Sequence, residues 1–337
     1  MTGKSGSTLY IGTASGLYLG EPEGSGYTAR PLGLDGTGVM RARVAVDVAD
    51  PDRLFAGTTR GGMFRSDDRG RTWDEINNGI VHKDVWSVVQ HPGTETLFAG
   101  TSPAAIFWSD DRGENWHEYE ELCQLPTTKG WTGPLPPHVS RMKTLALADD
   151  PSYIYGAIEE GWAVRSLDGG ETWQQLADGM DHDGHAIALM QSSPRTVIAT
   201  GGKGIYRSMD GGDSWAKVSD HLAPYRYTPS DLAVHPENPS LLFTAISTSG
   251  PGGWAEGKTG VAYARSEDEG ASWELLPSVT EATRAIPRAL VADPSEPDTL
   301  FAGMTDGSVW QSDDGGQSFR QILSDLPSVY SIAVAPR

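Results

Sequence analysis

The chain has 337 residues, enough for two ordinary domains or one large all-β domain, and carries a formal net charge of −19. Such acidity argues against nucleic-acid backbones and anionic membranes as partners, and no run of about 18 apolar residues is present to span a bilayer. One cysteine, Cys123, excludes an internal disulfide and suits a reducing cytoplasm, while 41 glycines and 22 prolines suit short strands joined by tight turns. The opening MTGKSGSTLYIG lacks a charged segment followed by an apolar one, so no signal peptide is expected.

In chain order, Thr8–Leu19 reads as two short strands of a repeat whose closing octapeptide is missing. The next unit is complete. An apolar strand ends near Asp47, a turn follows at Asp50 and Pro51, and strands are predicted at Leu54–Gly57 and Met63–Arg65. The octapeptide SDDRGRTW (66–73) then turns the chain, and a fourth strand starts within Thr72–Ile76. The same pattern recurs around SDDRGENW (109–116), SLDGGETW (166–173), SMDGGDSW (208–215), SEDEGASW (266–273) and SDDGGQSF (312–319). Ser328–Pro336 aligns with Thr228–Pro236 and supplies the innermost strand that the first unit lacks. Four strands in about 40–50 residues match a β-propeller blade. The expectation is one all-β domain over 1–337, a seven-bladed β-propeller of four-stranded antiparallel blades whose first blade is closed by the C-terminal strand. The blades fall at 7–34 plus 328–337, 40–78, 84–120, 141–178, 184–219, 228–277 and 286–324. Six blades with a loose N-terminal tail is the alternative.

The octapeptides share Ser-x-Asp-x-Gly-x-Thr/Ser-Trp, with one Asn in the hydroxyl position and one closing Phe. They resemble the Asp-box (BNR) repeats of sialidase-like propellers, sortilin-type receptors, xyloglucanase-type glycosidases and photosystem assembly propellers. The resemblance extends over essentially the whole chain. It implies that each box turns the third strand into the fourth. It also implies a structural role for Asp68, Asp111, Asp168, Asp210, Asp268 and Asp314, which would cap backbone amides. Trp73, Trp116, Trp173, Trp215, Trp273 and Phe319 would pack between blades. Turn chemistry and aromatic burial point the same way.

Strand direction then separates two rims. The boxes lie on one, and the blade-to-blade loops and second-to-third turns lie on the other. Box intervals of 57 and 58 residues, against 42 to 46 elsewhere, place insertions at Glu118–Ser140 and Ser247–Gly260, both on the second rim. That rim also receives His82, His138, His182, His185 and His221, with Asp181, Asp183, Glu159 and Glu160 nearby. The starts of the inner strands bring Arg41, Arg43, Trp86, Arg141, Lys143, His185, Asp231, Arg288 and Tyr330 to the channel mouth. The candidate catalytic set is His185, His182, Glu159, Glu160, Asp231 and Tyr330. Arg41, Arg43, Trp86, Lys143, Arg288, Trp162 and Trp254 are candidate ligand-binding residues. His182, His185 and His138 are candidate ligands for one divalent metal.

Other motifs carry less. Gly252–Thr259 fits G-x-x-x-x-G-K-T, but a strand rather than a helix is expected after it, so no nucleotide site is expected. A sialidase would need an arginine triad, a Tyr–Glu pair and an acidic donor, and Arg41, Arg288, Tyr330 and Glu159 could assemble such a set. The Arg-Ile-Pro signature is absent, however, and Arg284-Ala285-Ile286-Pro287 departs from it in the last blade. The expected function is a cytoplasmic hydrolase or lyase acting on a small anionic or sugar-like molecule. A non-catalytic binding or assembly scaffold is the alternative.

Overall fold

The structure, a computed structural model, describes residues 6–24, 26–36, 44–190, 193–276 and 285–335. Its strands form seven separate four-stranded antiparallel sheets. Six of them use four strands consecutive in the chain, and the seventh takes its innermost strand, Val329–Val334, from the C-terminal end. That strand pairs with Leu9–Thr13 in the register Leu9 to Val334 and Ile11 to Ile332. The seven-bladed ring closed by the C-terminal strand is therefore the observed architecture, and the six-bladed alternative falls.

Composition explains each strand. The second strands, such as Leu54–Thr58, Leu97–Ser102 and Leu300–Met304, are buried almost throughout. They read as continuous apolar runs with small residues interleaved, because a blade interior is covered on both faces. The fourth strands shrink to pairs such as Asp74–Glu75 and His117–Glu118, which are largely exposed. A short polar outer strand offers little edge for another chain to pair with.

The boxes form the third-to-fourth turns. In the second blade Ser66 Oγ donates to Asp68 Oδ1 and accepts from Gly70 N, while Asp68 accepts from Thr72 N and Thr72 Oγ1. The same bonds recur at Asp111, Asp168, Asp210, Asp268 and Asp314. Each box aromatic reaches the preceding blade. Trp116 Nε1 donates to Ile76 O at 2.9 Å, and Phe319 stacks on Tyr263 at 4.8 Å. Gly79 lets the backbones meet there: its φ is +95°, and a Cβ would stand 2.0 Å from the Trp116 carbonyl oxygen. Each seam between neighbouring blades is filled by its own apolar cluster, so the core is a ring of seven interfaces.

The two insertions hold short helical turns that the sequence left as loop. The first contains a helix at Glu120–Cys123 and a 3-10 turn at Pro126–Gly130, tied down by Leu122 and Trp131 in the cluster of the third and fourth blades. The second contains a helix at Pro251–Ala255. The strand Val261–Ser266 follows the G-x-x-x-x-G-K-T stretch directly, so no helix N-terminus faces a phosphate there.

Candidate functional site

Five inner strands share a defect at the channel mouth. Register shifts fall between Val85 and Ser87, between Met142 and Thr144, between Gly184 and Ala186, and between Pro287 and Ala289. In the first blade the shift skips Tyr330, because Gly12 pairs with Ser331 and Thr13 with Val329. The residues left over are Trp86, Lys143, His185, Arg288 and Tyr330. A β-bulge re-aims its extra side chain, and all five line one recess of about 40 Å³ together with Asp231. The ring thus turns a repeated irregularity into a convergent site.

Glu159 ends the second strand of the fourth blade and is buried, at 4% exposure. Its two oxygens are held by cations: Arg141 Nη1 lies 2.6 Å from Oε2, and Lys143 Nζ lies 3.3 Å from Oε1. The turn after it contains two non-glycine residues in left-handed conformation, Glu160 at φ 52° and Trp162 at φ 62°. For an aromatic residue this backbone is strained, so the surrounding packing over-determines the turn that carries Glu159. Thr132 N donates to Glu160 O, and Trp162 N donates to His182 O, which supplies that constraint.

His185 is buried. Its Nδ1 lies 2.8 Å from the Thr228 carbonyl oxygen, so Nδ1 carries a proton and donates. Nε2 lies 3.1 Å from Asp183 Oδ2, but Nε2 and Asp183 Oδ1 have no hydrogen-bond partner of proper geometry. Burial pushes the imidazole pKa down, and the nearby Lys143 ammonium adds to this against the pull of Asp183 and Glu159. Burial alone would raise the Asp183 carboxyl, but His185, Lys143 and His182 outweigh it and hold it well below the usual range. At neutral pH the imidazole is therefore neutral beside a carboxylate, with a lone pair on Nε2. Glu159, Asp183 and His185 present ligand atoms within 4.8 Å of one another, a cluster capable of coordinating a divalent metal.

Aromatic rings frame this centre. Tyr227 lies 4.7 Å from the His185 ring, Trp254 lies 5.1 Å from Tyr227, and the Arg288 guanidinium sits 4.9 Å over Trp254. Arg141 likewise covers Trp86 at 4.5 Å. Trp254 thus belongs to the wall of the site, placed by the second insertion.

Other expected residues are placed elsewhere. His182 is half-exposed beside Asp181 at 3.4 Å and Trp162 at 5.8 Å, outside the three-residue cluster. His138 bonds to Gly133 O at 2.7 Å within the first insertion and is also outside it. Of the three histidines expected around a metal, only His185 joins the cluster, and Asp183 takes the neighbouring position. His221 Nε2 donates to the Trp273 carbonyl oxygen and ties the loop before the sixth blade to that blade's box. His82 packs edge-on against Phe107. Arg41, Arg43 and Arg284 lie outside the described residues. Sequence reasoning did not assign a role to Thr228 or Tyr227, and no motif marks either.

The fold and its boxes define an Asp-box-repeat seven-bladed propeller. The BNR-Asp box repeat family matches residues 63–76, and the BNR/Asp-box repeat family matches residues 107–118. No curated protein sequence matches the chain. Among solved structures, the chain is similar to the GH74 xyloglucanase from Xanthomonas campestris, at 18% identity and a TM-score of 0.64. That similarity covers 86% of this chain and 46% of the xyloglucanase. An ancestral GH74 enzyme gives 16% identity and a TM-score of 0.62, with 94% and 40% covered. The chain therefore spans about half the length of these enzymes. YCF48 bound to D1 peptide gives 18% identity and a TM-score of 0.55, with 84% and 82% covered. At such identities the likeness is one of fold.

Proposed function

We propose that the chain is an enzyme acting on a small polar molecule, a hydrolase or lyase, with its chemistry at the bulge-lined channel mouth. One observation carries this reading: His185, locked by Thr228, holds a buried lone pair beside Asp183 in a recess that Lys143 and Arg288 also line. Neutral at pH 7 and fixed in one tautomer, His185 is suited to act as general base. Lys143 and Arg288 would anchor an anionic or carboxylate-bearing group, and Trp86, Tyr330 and Trp254 would pack against an apolar or sugar face. Charge balance tempers the expectation of a strongly anionic ligand, because Glu159, Asp183 and Asp231 accompany Arg141, Lys143 and Arg288.

The nitrogen and oxygen donors of His185, Asp183 and Glu159 also fit a divalent metal, and the hydrogen-bond vacancy at Nε2 and Asp183 Oδ1 supports that fit. Bound there, a metal would supply Lewis acidity and a more acidic water. Lys143 opposes it, since its ammonium already engages Glu159. The single cysteine is the ground for proposing a reducing, cytoplasmic setting.

A second reading has its own observation. An open cleft of about 580 Å³, lined by Asp181, Asp183, Arg226 and Tyr227 and by the second insertion, adjoins the recess through the contacts of Asp183 and Tyr227 with His185. On that reading the propeller is a binding or assembly scaffold, a role compatible with its likeness to a structure that holds a peptide. A panel of chromogenic glycosides, esters and lactones separates the two. Under the enzyme reading, turnover by the wild-type chain falls at least about 100-fold in His185→Asn with the melting temperature retained. Turnover indifferent to His185→Asn sinks the assignment of the base. No turnover, together with stoichiometric capture of a protein, favours the scaffold.

A further inference from the structure

The opposite end of the channel departs from the repeat in two adjacent blades. Where the inner strand ends, four blades place a side chain that caps the following turn. Asp47 Oδ1 accepts from Ala49 N and Asp50 N, and Asp293 Oδ1 accepts from Ser295 N and Glu296 N. His91 Nδ1 accepts from Gly93 N and Thr94 N, and His235 Nδ1 accepts from Glu237 N and Asn238 N. Strand pairing fixes the equivalent position elsewhere as the residue after the pair Leu147–Ile154 in the fourth blade and after Leu189–Val197 in the fifth. Those residues are Ala148 and Met190. In the first blade the equivalent residue is Ala335, the last one described, whose N–H donates to Thr8 O.

At this position two neighbouring blades have therefore exchanged a capping side chain for an apolar one, while in the fourth blade Asp150 Oδ1 still accepts from Ser152 N. A cavity of about 480 Å³ is lined by the ends of their inner strands, with Val234 of the sixth blade beside them. Ala148 leaves room, while Leu147, Leu189, Met190, Tyr153 and Val234 form an apolar lining. Its size and composition are those of a small-ligand site. Asp149 and Asp150 stand exposed at its rim, and among the described residues neither forms an ion pair. Among the described residues the lining is apolar and the charges it presents are the carboxylates of Asp149 and Asp150.

We infer that this cavity is a second ligand site, on the box side of the ring, for an amphiphilic cation. The apolar body of the ligand fills the space opened at Ala148, and its ammonium or guanidinium pairs with Asp149 and Asp150. The site lies at the other end of the inner strands from His185 and does not depend on the chemistry there.

Calorimetric titration of the full chain with 4-phenylbutylammonium, 4-phenylbutan-1-ol and 4-phenylbutyrate tests the inference. The cation binds about 5- to 10-fold more tightly than the alcohol, and the carboxylate more weakly than either. Asp149→Asn with Asp150→Asn, both on the surface, abolishes that ranking and leaves alcohol binding unchanged. Ala148→His installs the cap that His91 provides in the third blade, keeps the melting temperature, and weakens all three probes at least about 10-fold. Equal affinity for the three probes overturns the cationic ligand. Failure of all three to saturate by about 5 mM, or binding unaffected by Ala148→His in a folded variant, overturns the site.

Discussion

His185 divides its two nitrogens between structure and chemistry. Nδ1 is spent on the Thr228 carbonyl, while Nε2 faces Asp183 and the recess. Both causes that lower its pKa, burial and then Lys143, oppose protonation. The unfolded chain therefore takes up a proton near the ordinary histidine value of about 6.5, before the folded chain does, and this group withdraws stability as pH falls through that window. In the metal-free protein, an NMR titration of the His185 ring should give a midpoint below that ordinary value. Lys143→Met removes one of the two depressing causes and should move the midpoint upward. A midpoint unchanged by Lys143→Met would mean that burial alone sets it. Asp183 should stay ionised throughout, since its carboxyl is held below the usual range.

At the scale of the turn, each box is a self-contained capping unit. Hydrogen bonds from Thr72 and Ser66 lower the Asp68 carboxyl to about 2, and the equivalent bonds lower the other five, at Asp111, Asp268 and Asp314 against burial that raises them and at Asp111 with Asn115 in the hydroxyl position. A depressed carboxyl contributes stability above its unfolded pKa and loses it as pH falls through the folded one. Acid should therefore weaken all six turns as pH falls below the ordinary carboxyl value of about 4. Asp268→Ala removes the acceptor for Ser272 N and Ser272 Oγ and should cost about 1 kcal/mol at pH 7, with a smaller loss at pH 3. Urea unfolding at the two pH values measures both. The boxes were the most legible part of the chain because their bonds are local, spanning at most four residues between Asp and its partners. The mouth residues were also legible, since the alignment of Ser328–Pro336 with Thr228–Pro236 set the register. The bulges that aim Trp86, Lys143, His185, Arg288 and Tyr330 were not, because a bulge exists only in the pairing of two strands. Nor was the pairing of Asp183 with His185, which depends on where Thr228 of the next blade anchors the ring. The helices of the insertions, four and five residues long, are too short to show a helical period.

Across the whole molecule, one seam differs from the other six. A box aromatic reaches back to the preceding blade at each of those: Trp116 joins Phe55, Trp173 joins Phe98, Trp215 joins Tyr155 and Trp273 joins Ile198 in shared clusters. The first blade has no box, and Tyr27 meets Phe301 there instead, edge-on at 6.3 Å. Closure therefore leans on the strand Val329–Val334, which brings Val329, Ile332 and Val334 into the seam and covers the edge of Leu9–Thr13. Ending the chain after Pro327 should uncover that edge and open the ring at its least buttressed interface. An uncovered, buried-type strand is a template for another chain, so the truncated protein should lose its cooperative melting transition and migrate as large species in size-exclusion chromatography. Supplying the segment 328–337 as a separate peptide should restore a monomeric peak, because the missing strand pairs through backbone bonds that need no covalent link. A truncated protein that stays monomeric and melts within a few degrees of the full chain would show instead that six box-sealed seams hold the ring without its closing strand.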